Sequence, residues 1–411
     1  MKKLIRKQWY LLFLLALLSV SLQSCMGVGD NGPFQTKNGV QINTSDQAKW
    51  KGKIYFTLSR NLYMLDGTSY NLTQLTSNMD VRDPAVSPDG KWIAFINRGK
   101  NYSDLDYIST DPADKTLHTV VTGNGKFING GGNTFYWFAQ PAWSADGTHL
   151  LFLSDLQKDF YWRRLGPPYD QAPFLDMQVF SLPMNVSLTA AQALQRAKAI
   201  GYAIYGDGGN RDPAYRPGHP EQVVYTTFHY DATNTHQIVQ ISIEDTTFMI
   251  DQPYRWSPNL TPAVALTPAV NDLVNFQPSF SPDGNMIAYV RREDQTHMSI
   301  YTMPVVENVA NDPNVANFDP NSDVNTKNAL VPYNTQSSKL LTDRYVSEPI
   351  WSPDGTRLLY YSFSNNAFDL YLVTLTRDAQ TGLYSVKADS RVQLTQAGGK
   401  LDGDSRAVWV A

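Results

Sequence analysis

The chain has 411 residues, of which 42% are hydrophobic, 12% aromatic and only 18% charged, and its formal net charge is −4. Four of its 34 basic residues lie within the first seven positions, so the rest of the chain sets 30 basic residues against 38 acidic ones. An acidic chain without a basic stripe is a poor partner for nucleic acid, which excludes that function. The composition favours a large β core.

Residues 1–25 have the features of a bacterial secretory signal. A cationic start is followed by an apolar stretch from Leu11 to Leu22, which is too short to span a membrane comfortably. The stretch ends in Leu22-Gln23-Ser24-Cys25, which resembles the lipobox of bacterial lipoproteins. That resemblance implies that Cys25, the only cysteine, carries the lipid and becomes the mature N-terminus. The alternative is an ordinary secretory signal with an incidental cysteine.

The segment 26–50 is rich in Gly, Asn and Gln and has no hydrophobic periodicity, so we predict a flexible tether there. Short strands are predicted from Lys51 onward, first at Ile54–Leu58 and Leu62–Leu65 and then over Tyr70–Thr76.

One phrase then recurs along the chain: a Pro, two or three strand residues, a Ser-Pro-Asp-Gly turn and an apolar strand. Ser opens the turn, Pro presets φ, Asp can bond its own backbone, and Gly accepts the left-handed conformation. Each phrase therefore predicts a tight hairpin. Copies lie at residues 83–90, 140–147, 212–218 (degraded), 277–284 and 348–355, and a sixth begins at residue 406.

Repetition at this period predicts a repeat architecture. We expect an all-β, six-bladed β-propeller over residues 51–411, with four-stranded antiparallel blades. The strand Ala407–Val410 lacks a hairpin partner, and pairing it with the N-terminal strands would close the ring and remove exposed edges. The spacing of the phrases exceeds the roughly 40 to 50 residues typical of one blade, so the excess is expected in loops.

The motif resembles that of the TolB-like β-propeller repeat family, Pro-x-[Trp/Phe]-Ser-Pro-Asp-Gly before an apolar strand. Trp143-Ser144, Phe280–Gly284 and Trp351–Gly355 carry the resemblance, which covers about residues 50–411. It implies the propeller fold but no single activity, because such propellers occur in transport accessories, peptidases and glycan enzymes. The α/β N-terminal domain of TolB and the α/β-hydrolase domain of the peptidases have no counterpart in this sequence.

Two predicted insertions, 123–139 and 155–175, belong to the same propeller face. They offer an aromatic platform for stacking on sugar rings or anchoring a peptide. The alternative is that these loops bury their own aromatic residues as a satellite cluster. The candidate residues of this aromatic face are Tyr136, Trp137, Phe160, Tyr161, Trp162, Arg163, Arg164 and Tyr169.

Three insertions fall on the opposite face. Residues 189–200 are Ala-rich and predict a helix capped by Ser187, whereas 246–262 contain Tyr254-Arg255-Trp256. The segment 304–338 is rich in Asn and Asp, and we interpret it as a solvated mobile loop, with calcium ligation as the alternative.

The residues before the motif prolines form the most regular polar set. We expect them to surround one mouth of the central channel, where they either bind a cation or a peptide terminus or bond the backbones of neighbouring blades. The loop 206–211 opens at the same mouth and gives a second calcium alternative. These channel-mouth residues are Asp83, Gln140, Asp212, Gln277, Glu348 and Arg406.

No catalytic motif is present: there is no Gly-x-Ser-x-Gly, His-Glu-x-x-His or phosphate-binding Gly-rich Lys loop, and the six histidines are scattered. We therefore predict a membrane-anchored, extracytoplasmic propeller that binds a ligand or envelope protein without converting it. The alternative is a glycan lyase or hydrolase at the channel mouth, using Asp83, Asp212 and Glu348.

Overall fold

The computed structural model describes residues 33–126, 133–156, 176–184, 187–201, 208–231, 233–245, 263–305 and 323–411, and these are mainly β-strands. The first half of the chain contains β1 (Phe34–Lys37), β2 (Val40–Asn43), β3 (Lys53–Leu58), β4 (Asn61–Asp66), β5 (Leu72–Gln74), β6 (Val81–Val86), β7 (Trp92–Arg98), β8 (Ser103–Ser109), β9 (His118–Thr122), β10 (Asn124–Lys126), β11 (Asn133–Phe135), β12 (Phe138–Trp143), β13 (His149–Ser154), β14 (Gln178–Pro183), β15 (Leu188–Thr189), α1 (Ala190–Arg196) and β16 (Lys198–Ala199).

The second half contains β17 (Asn210–Arg216), β18 (His219–Tyr230), β19 (Gln237–Asp245), β20 (Val264–Ala265), β21 (Val274–Phe280), β22 (Met286–Arg292), β23 (Met298–Pro304), α2 (Asp323–Gln336), β24 (Ser338–Asp343), β25 (Val346–Trp351), β26 (Arg357–Ser364), β27 (Ala367–Arg377), β28 (Tyr384–Val386), β29 (Val392–Gln393), β30 (Thr395–Gln396) and β31 (Val408–Val410).

Most strands form antiparallel groups of four. We number these groups sheet 1 (β31-β3-β4-β5), sheet 2 (β6-β7-β8-β9), sheet 3 (β12-β13-β14-β16), sheet 4 (β17-β18-β19-β20), sheet 5 (β21-β22-β23-β24) and sheet 6 (β25-β26-β27-β29). A single parallel pair, Val239 with Val274, connects sheets 4 and 5. The cores lie between adjacent sheets, as in the cluster that packs Leu151 and Val179 of sheet 3 against Val223 and Tyr225 of sheet 4.

The first strands of sheets 2 to 6 and the C-terminal strand β31 contact one another in a series that returns to its start. β6 contacts β12, which contacts β17, and the series continues through β21, β25 and β31 back to β6. The predicted pairing of the two chain ends is confirmed, because Ile54 of β3 is paired with Trp409 of β31.

The predicted flexible tether is wrong for the described part of 26–50. Residues 34–43 form the hairpin β1–β2, and β2 pairs with β30, so that Ile42 is opposite Thr395. Val40, Ile42 and Trp50 are buried in the same core as sheets 1 and 6. This segment has few apolar residues. It is nevertheless ordered, because those residues are buried and because β2 pairs with the distant strand β30. The signal segment and Cys25 lie outside the described residues.

The Ser-Pro-Asp-Gly turns are hairpins, as predicted. In the first one, Ser87 Oγ donates to Asp89 Oδ1 at 2.6 Å, and the backbone N–H of Trp92 donates to Ser87 Oγ at 3.0 Å. The turns at Ser144, Ser281 and Ser352 repeat both bonds. The turn carboxylates are therefore used for local structure.

In the degraded copy, Arg216 takes the place of the turn serine. Its side chain is 1% exposed. Arg216 Nε donates to the carbonyl of Gly284 at 2.8 Å, and Nη1 donates to Gln222 Oε1 at 2.7 Å. A buried arginine thus joins this turn to the next hairpin, which explains why the copy can depart from the motif.

Two predictions about the insertions need correction. The helix predicted in 189–200 exists as α1, but Thr189 rather than Ser187 caps it, through a capping box with Gln192. The proposed loop 304–338 contains α2, because Ala329 is buried against sheets 4 and 5. Of the segment 304–338 with its calcium alternative, residues 306–322 lie outside the described residues, as do the insertion 246–262 and residues 206 and 207 of the loop 206–211. The end of that loop, Asn210 and Arg211, begins β17.

Candidate functional site

Five channel-mouth residues have the same unusual backbone. Asp83, Gln140, Asp212, Gln277 and Glu348 have φ between 49° and 57°, in the left-handed region that non-glycine residues rarely adopt. At each of them the ladder with the next strand shifts register. The motif therefore places a β-bulge, which re-aims one polar side chain away from the ordinary alternation of the strand.

Those side chains bond the neighbouring sheets. Asp83 accepts the backbone N–H of Gln140 at 3.3 Å on one side and that of Arg406 at 3.0 Å on the other. Asp212 Oδ2 accepts the backbone N–H of Gln277 at 3.2 Å and the hydroxyl of Thr226 at 2.9 Å. At four of the bulges the backbone N–H is thus bonded by the channel-mouth side chain of the preceding sheet. At the fifth, the N–H of Asp83 donates to Ser405 Oγ at 2.8 Å.

Arg406 reaches across this ring. Its guanidinium donates to the carbonyls of Pro141 and Pro213, both at 3.2 Å. Those prolines lie on β12 and β17, whereas β31 contacts β6 and β25. The side chain therefore occupies the space between the inner strands and brings one positive charge close to Asp83 and Glu348.

Burial and mutual repulsion alter the ionisation of these carboxylates. Burial raises the pKa of Asp83, with Arg406 acting in the opposite direction. Burial also raises the pKa of Glu348 well above its ordinary value, and the nearby Asp212 and Asp83 raise it further. Burial thus favours the protonated form of Asp83 and Glu348, within a hydrogen-bonded network in which the acids contact protein groups.

Beside the ring lies a cavity of about 540 Å³, which we call the mouth cavity. Asp83 and Gln140 contribute ring side chains to it, and Trp137 adds an aromatic wall. Its lining residues are Arg82, Asp83, Ile96, Arg98, Trp137, Phe138, Ala139, Gln140, Leu153, Asp155, Met177, Arg211 and Asp404. The structure therefore joins part of the predicted channel mouth to one residue of the predicted aromatic face.

The three arginines of the mouth cavity differ in their pairing. Arg82 is bound to acids, with Nη1 at 3.0 Å from Asp402 Oδ1. Arg211 Nη1 donates to the carbonyl of Asn210 at 2.7 Å, and its guanidinium lies 5.7 Å from the centroid of the Phe228 ring. Within the described ranges, no carboxylate is at ion-pair distance from Arg211 or from Arg98.

Burial lowers the pKa of Arg211, although Asp212 and Asp176 act on it at longer range in the opposite direction. A desolvated guanidinium stays charged because its pKa remains far above neutrality. Among the described residues, the carbonyl of Asn210 is the one hydrogen-bond acceptor of this side chain, so its other donors make this part of the cavity suited to a carboxylate or phosphate oxygen.

The two described residues of the predicted aromatic face have different positions. Tyr136 is only 2% exposed and packs in the core between sheets 2 and 3, so its assignment to a binding surface is wrong. Trp137 is half-buried, and its backbone N–H donates to Asp155 Oδ1 at 2.9 Å. Phe160, Tyr161, Trp162, Arg163, Arg164 and Tyr169 lie outside the described residues.

Solved structures with the same architecture were found. The chain is similar to TolB from Acinetobacter baumannii, with a TM-score of 0.52 and 16% sequence identity over 87% of this chain and 66% of that one, just under two thirds of its length. The fold is that of a TolB-like β-propeller. No family model matches the sequence, and no curated protein matches it.

Two enzymes built on propellers are also similar at lower scores. Oligogalacturonate lyase from Vibrio parahaemolyticus has a TM-score of 0.43 and 12% identity, covering 86% of this chain and 83% of that one. The periplasmic gluconolactonase of Pseudomonas aeruginosa has a TM-score of 0.40 and 11% identity, covering 88% and 99%. At such identities the likeness concerns the TolB-like propeller fold and not an activity.

In the described ranges no three His, Cys, Asp or Glu side chains are grouped so as to hold a metal ion. No described helix is long and apolar enough to cross a membrane.

The arginines of the mouth cavity were not among the predicted site residues. Arg82 and Arg211 directly precede the channel-mouth residues Asp83 and Asp212, so the position before the bulge carried a usable signal. Arg98 ends β7, and its approach to the same cavity depends on how sheets 2 and 3 pack. No local pattern reports that packing.

Proposed function

We propose that this protein is a non-catalytic binding module of the bacterial cell envelope, tethered to the membrane by a lipid on Cys25 and holding an anionic ligand or partner in the mouth cavity. Its propeller has six blades, which correspond to sheets 1 to 6. The closed order of contacts through β6, β12, β17, β21, β25 and β31 supports this count.

The observation that carries the binding proposal is the half-buried guanidinium of Arg211 facing a cavity of about 540 Å³ without a carboxylate partner in the described part of the chain. Desolvating a cation is costly unless an anion or several acceptors compensate it. A ligand oxyanion would supply that compensation, Arg98 would add a second donor, and Trp137 would cover an apolar face of the ligand.

The rival function, a glycan lyase or hydrolase at the channel mouth, needs carboxylates that reach the substrate. Asp83, Asp212 and Glu348 are instead 6%, 4% and 5% exposed. Their oxygens accept hydrogen bonds from the backbone or side chains of neighbouring sheets. A pair of acids used in this way is poorly placed for acid–base work, which favours binding over turnover.

A binding experiment tests the proposal directly. The chain lacking residues 1–25 is titrated with oligogalacturonate, hexaglutamate and a neutral oligosaccharide by isothermal calorimetry. We expect an anionic probe to bind, and Arg211→Gln to weaken its binding by about tenfold or more, the weight of a charge-assisted hydrogen bond. Arg377→Gln, at an exposed arginine of β27, is the matched control.

Equal binding of neutral and anionic probes, or no effect of Arg211→Gln in a folded variant, would contradict this ligand chemistry. Mass spectrometry of the recovered oligogalacturonate separates the rival function, since shortened or unsaturated products would show an enzyme. Cys25→Ser tests the tether: we expect loss of the protein from the membrane fraction, and an unchanged fraction would refute lipidation.

A further inference from the structure

The mouth cavity has arginines on two different sides. Arg98 ends β7 of sheet 2, whereas Arg211 lies on β17 of sheet 4, and both line the cavity. The inner strands contact one another in the order β6, β12, β17, so that sheet 3 lies between sheets 2 and 4. The two guanidinium groups therefore reach the cavity from opposite sides of sheet 3.

Sheet 3 supplies an apolar lining between these two arginines. Ala139 lies on β12, Leu153 lies on β13, and Met177 directly precedes β14. The half-buried Trp137, directly before β12, adds the aromatic wall. The cavity thus has a cation on each side and a mainly apolar middle.

The acids of the lining are bonded to other protein groups. Three arginines and three aspartates line the cavity, so recognition depends on where the charges lie and not on their sum. Asp404 Oδ1 is 3.3 Å from Arg82 Nη1, which forms an ion pair. Asp83 and Asp155 accept backbone N–H groups. Among the described residues, the arginines at the two sides have no carboxylate at ion-pair distance.

The two arginines differ in burial, and so in what each gains from an anion. Arg211 is half-buried, and a cation taken out of water is costly unless an anion or several acceptors compensate it. Arg98 is exposed, and its guanidinium has no hydrogen-bond or ion-pair partner in the described part of the chain. Water screens an exposed ion pair, so its contribution is smaller. Arg211 is therefore the stronger contact and Arg98 the weaker one.

We propose that the mouth cavity recognises an organic dianion in which an apolar middle joins two carboxylate groups. One carboxylate contacts Arg211 and the other contacts Arg98, while the carbon chain packs on the apolar lining from sheet 3. Linking the two carboxylates makes the second contact intramolecular. The cavity volume of about 540 Å³ suits a small molecule. This inference rests on the proposed function, because it names the ligand class of the same site.

Isothermal calorimetry tests the dianion with adipate and three matched probes, using the chain that lacks residues 1–25. Hexanoate has one carboxylate on a chain of the same length, adipamide is the neutral diamide, and galactarate is adipate with a hydroxyl group on each inner carbon. At low ionic strength we expect adipate to bind about fivefold or more tightly than hexanoate, which exceeds the roughly twofold advantage of two equivalent ends. Galactarate should bind more weakly than adipate, because its hydroxyl groups lose water against an apolar lining.

Matched variants assign each contact. Arg98→Gln should lower the affinity for adipate to about that for hexanoate and leave hexanoate unchanged, whereas Arg211→Gln should weaken both anions. Lys100→Gln is the control, because Lys100 is exposed on the loop after Arg98 and does not line the cavity. It removes the same charge and should leave adipate binding unchanged.

Several results would overturn the dianion. Hexanoate or galactarate could bind as tightly as adipate, or Lys100→Gln could weaken adipate as much as Arg98→Gln does. Adipate could also fail to bind while oligogalacturonate or hexaglutamate binds in a way that depends on Arg211. Each of these results contradicts the dianion and leaves the proposed function standing. If no anionic probe binds, or if adipamide binds as tightly as adipate and hexanoate, the proposed function fails as well.

Discussion

Gln140 and Asp212 hold each other through two hydrogen bonds, both of 2.7 Å. The amide Nε2 of Gln140 donates to Asp212 Oδ1, and Oε1 of Gln140 accepts the backbone N–H of Asp212. Gln277 and Glu348 repeat the arrangement at 2.9 and 3.0 Å. At this repeated position, the side chain of one sheet therefore bonds the backbone N–H of the β-bulge in the next sheet. We call the resulting series of polar contacts between the inner strands the polar seam.

Gln140→Ala should destabilise the fold by about 2 to 4 kcal/mol, because it leaves both the backbone N–H and Oδ1 of the buried Asp212 without these partners. Urea unfolding measures the change. Gln380→Ala, at an exposed position, is the control and should stay within about 0.5 kcal/mol of the natural protein. Equal stability of the two variants would show that the seam contributes nothing to closure.

Glu348→Gln should flatten the pH dependence of stability. The folded state raises the pKa of Glu348 through burial and the nearby acids, so it holds a proton that the unfolded chain releases above about pH 4.3. Stability contributed by this group is therefore present at low pH and is lost as pH rises toward the folded pKa. Glutamine imitates the protonated form and can still accept from Gln277 Nε2.

The free energy of unfolding, followed from pH 5 to 8, checks this. We expect the free energy of unfolding of the natural protein to fall with rising pH more steeply than that of Glu348→Gln, by up to about 1.4 kcal/mol per pH unit, the value for one proton. Parallel slopes for the two proteins would mean that Glu348 is ionised in the fold.

Ile42→Ala tests whether the segment before the propeller motif is part of the fold. Ile42 is fully buried in the core shared with sheets 1 and 6, so losing its side chain should cost about 2 to 4 kcal/mol. The neighbouring Gln41 is exposed, and Gln41→Ala should have little effect. A flexible tether would instead leave both variants as stable as the natural chain.

Local chemistry explains which features were predictable. The Ser-Pro-Asp-Gly turns carry their own hydrogen bonds, and the strand Ala407–Val410 had no hairpin partner in the sequence, so the hairpins and the pairing of the two chain ends could be predicted. The order of residues 34–50 could not, because β2 pairs with β30, about 350 residues later in the chain. Non-local pairing leaves no periodicity in so short a strand.

The candidate site, too, could be predicted only in part from the sequence. The regular position before each motif proline pointed to Asp83 and its equivalents, but their left-handed backbone and mutual bonds follow from the bulge. Arg98 and Arg211 lie far apart in sequence and meet only through sheet packing. Tyr136 and Trp137 are adjacent, and only the strand path decides that the first is buried in the core.

Gly284→Ala and Gly90→Ala form a matched pair at the same position of two turns. Both glycines are left-handed, with φ of 70° and 71°, so each substitution bears the backbone cost of about 1 to 2 kcal/mol. A Cβ on Gly284 would also lie 2.2 Å from the carbonyl oxygen of Pro217 in the neighbouring turn, whereas a Cβ on Gly90 would meet nothing within 4 Å. That overlap forces the turns of sheets 4 and 5 apart and strains the bond from Arg216 to Gly284.

Thermal and urea unfolding of the two variants should therefore differ, with Gly284→Ala losing at least about 2 kcal/mol more than Gly90→Ala. Because the backbone term is common to both, the difference reports the contact between successive turns alone. Equal losses would show that the turns of sheets 4 and 5 do not pack against each other, and that the buried Arg216 holds its hairpin without help from the next one.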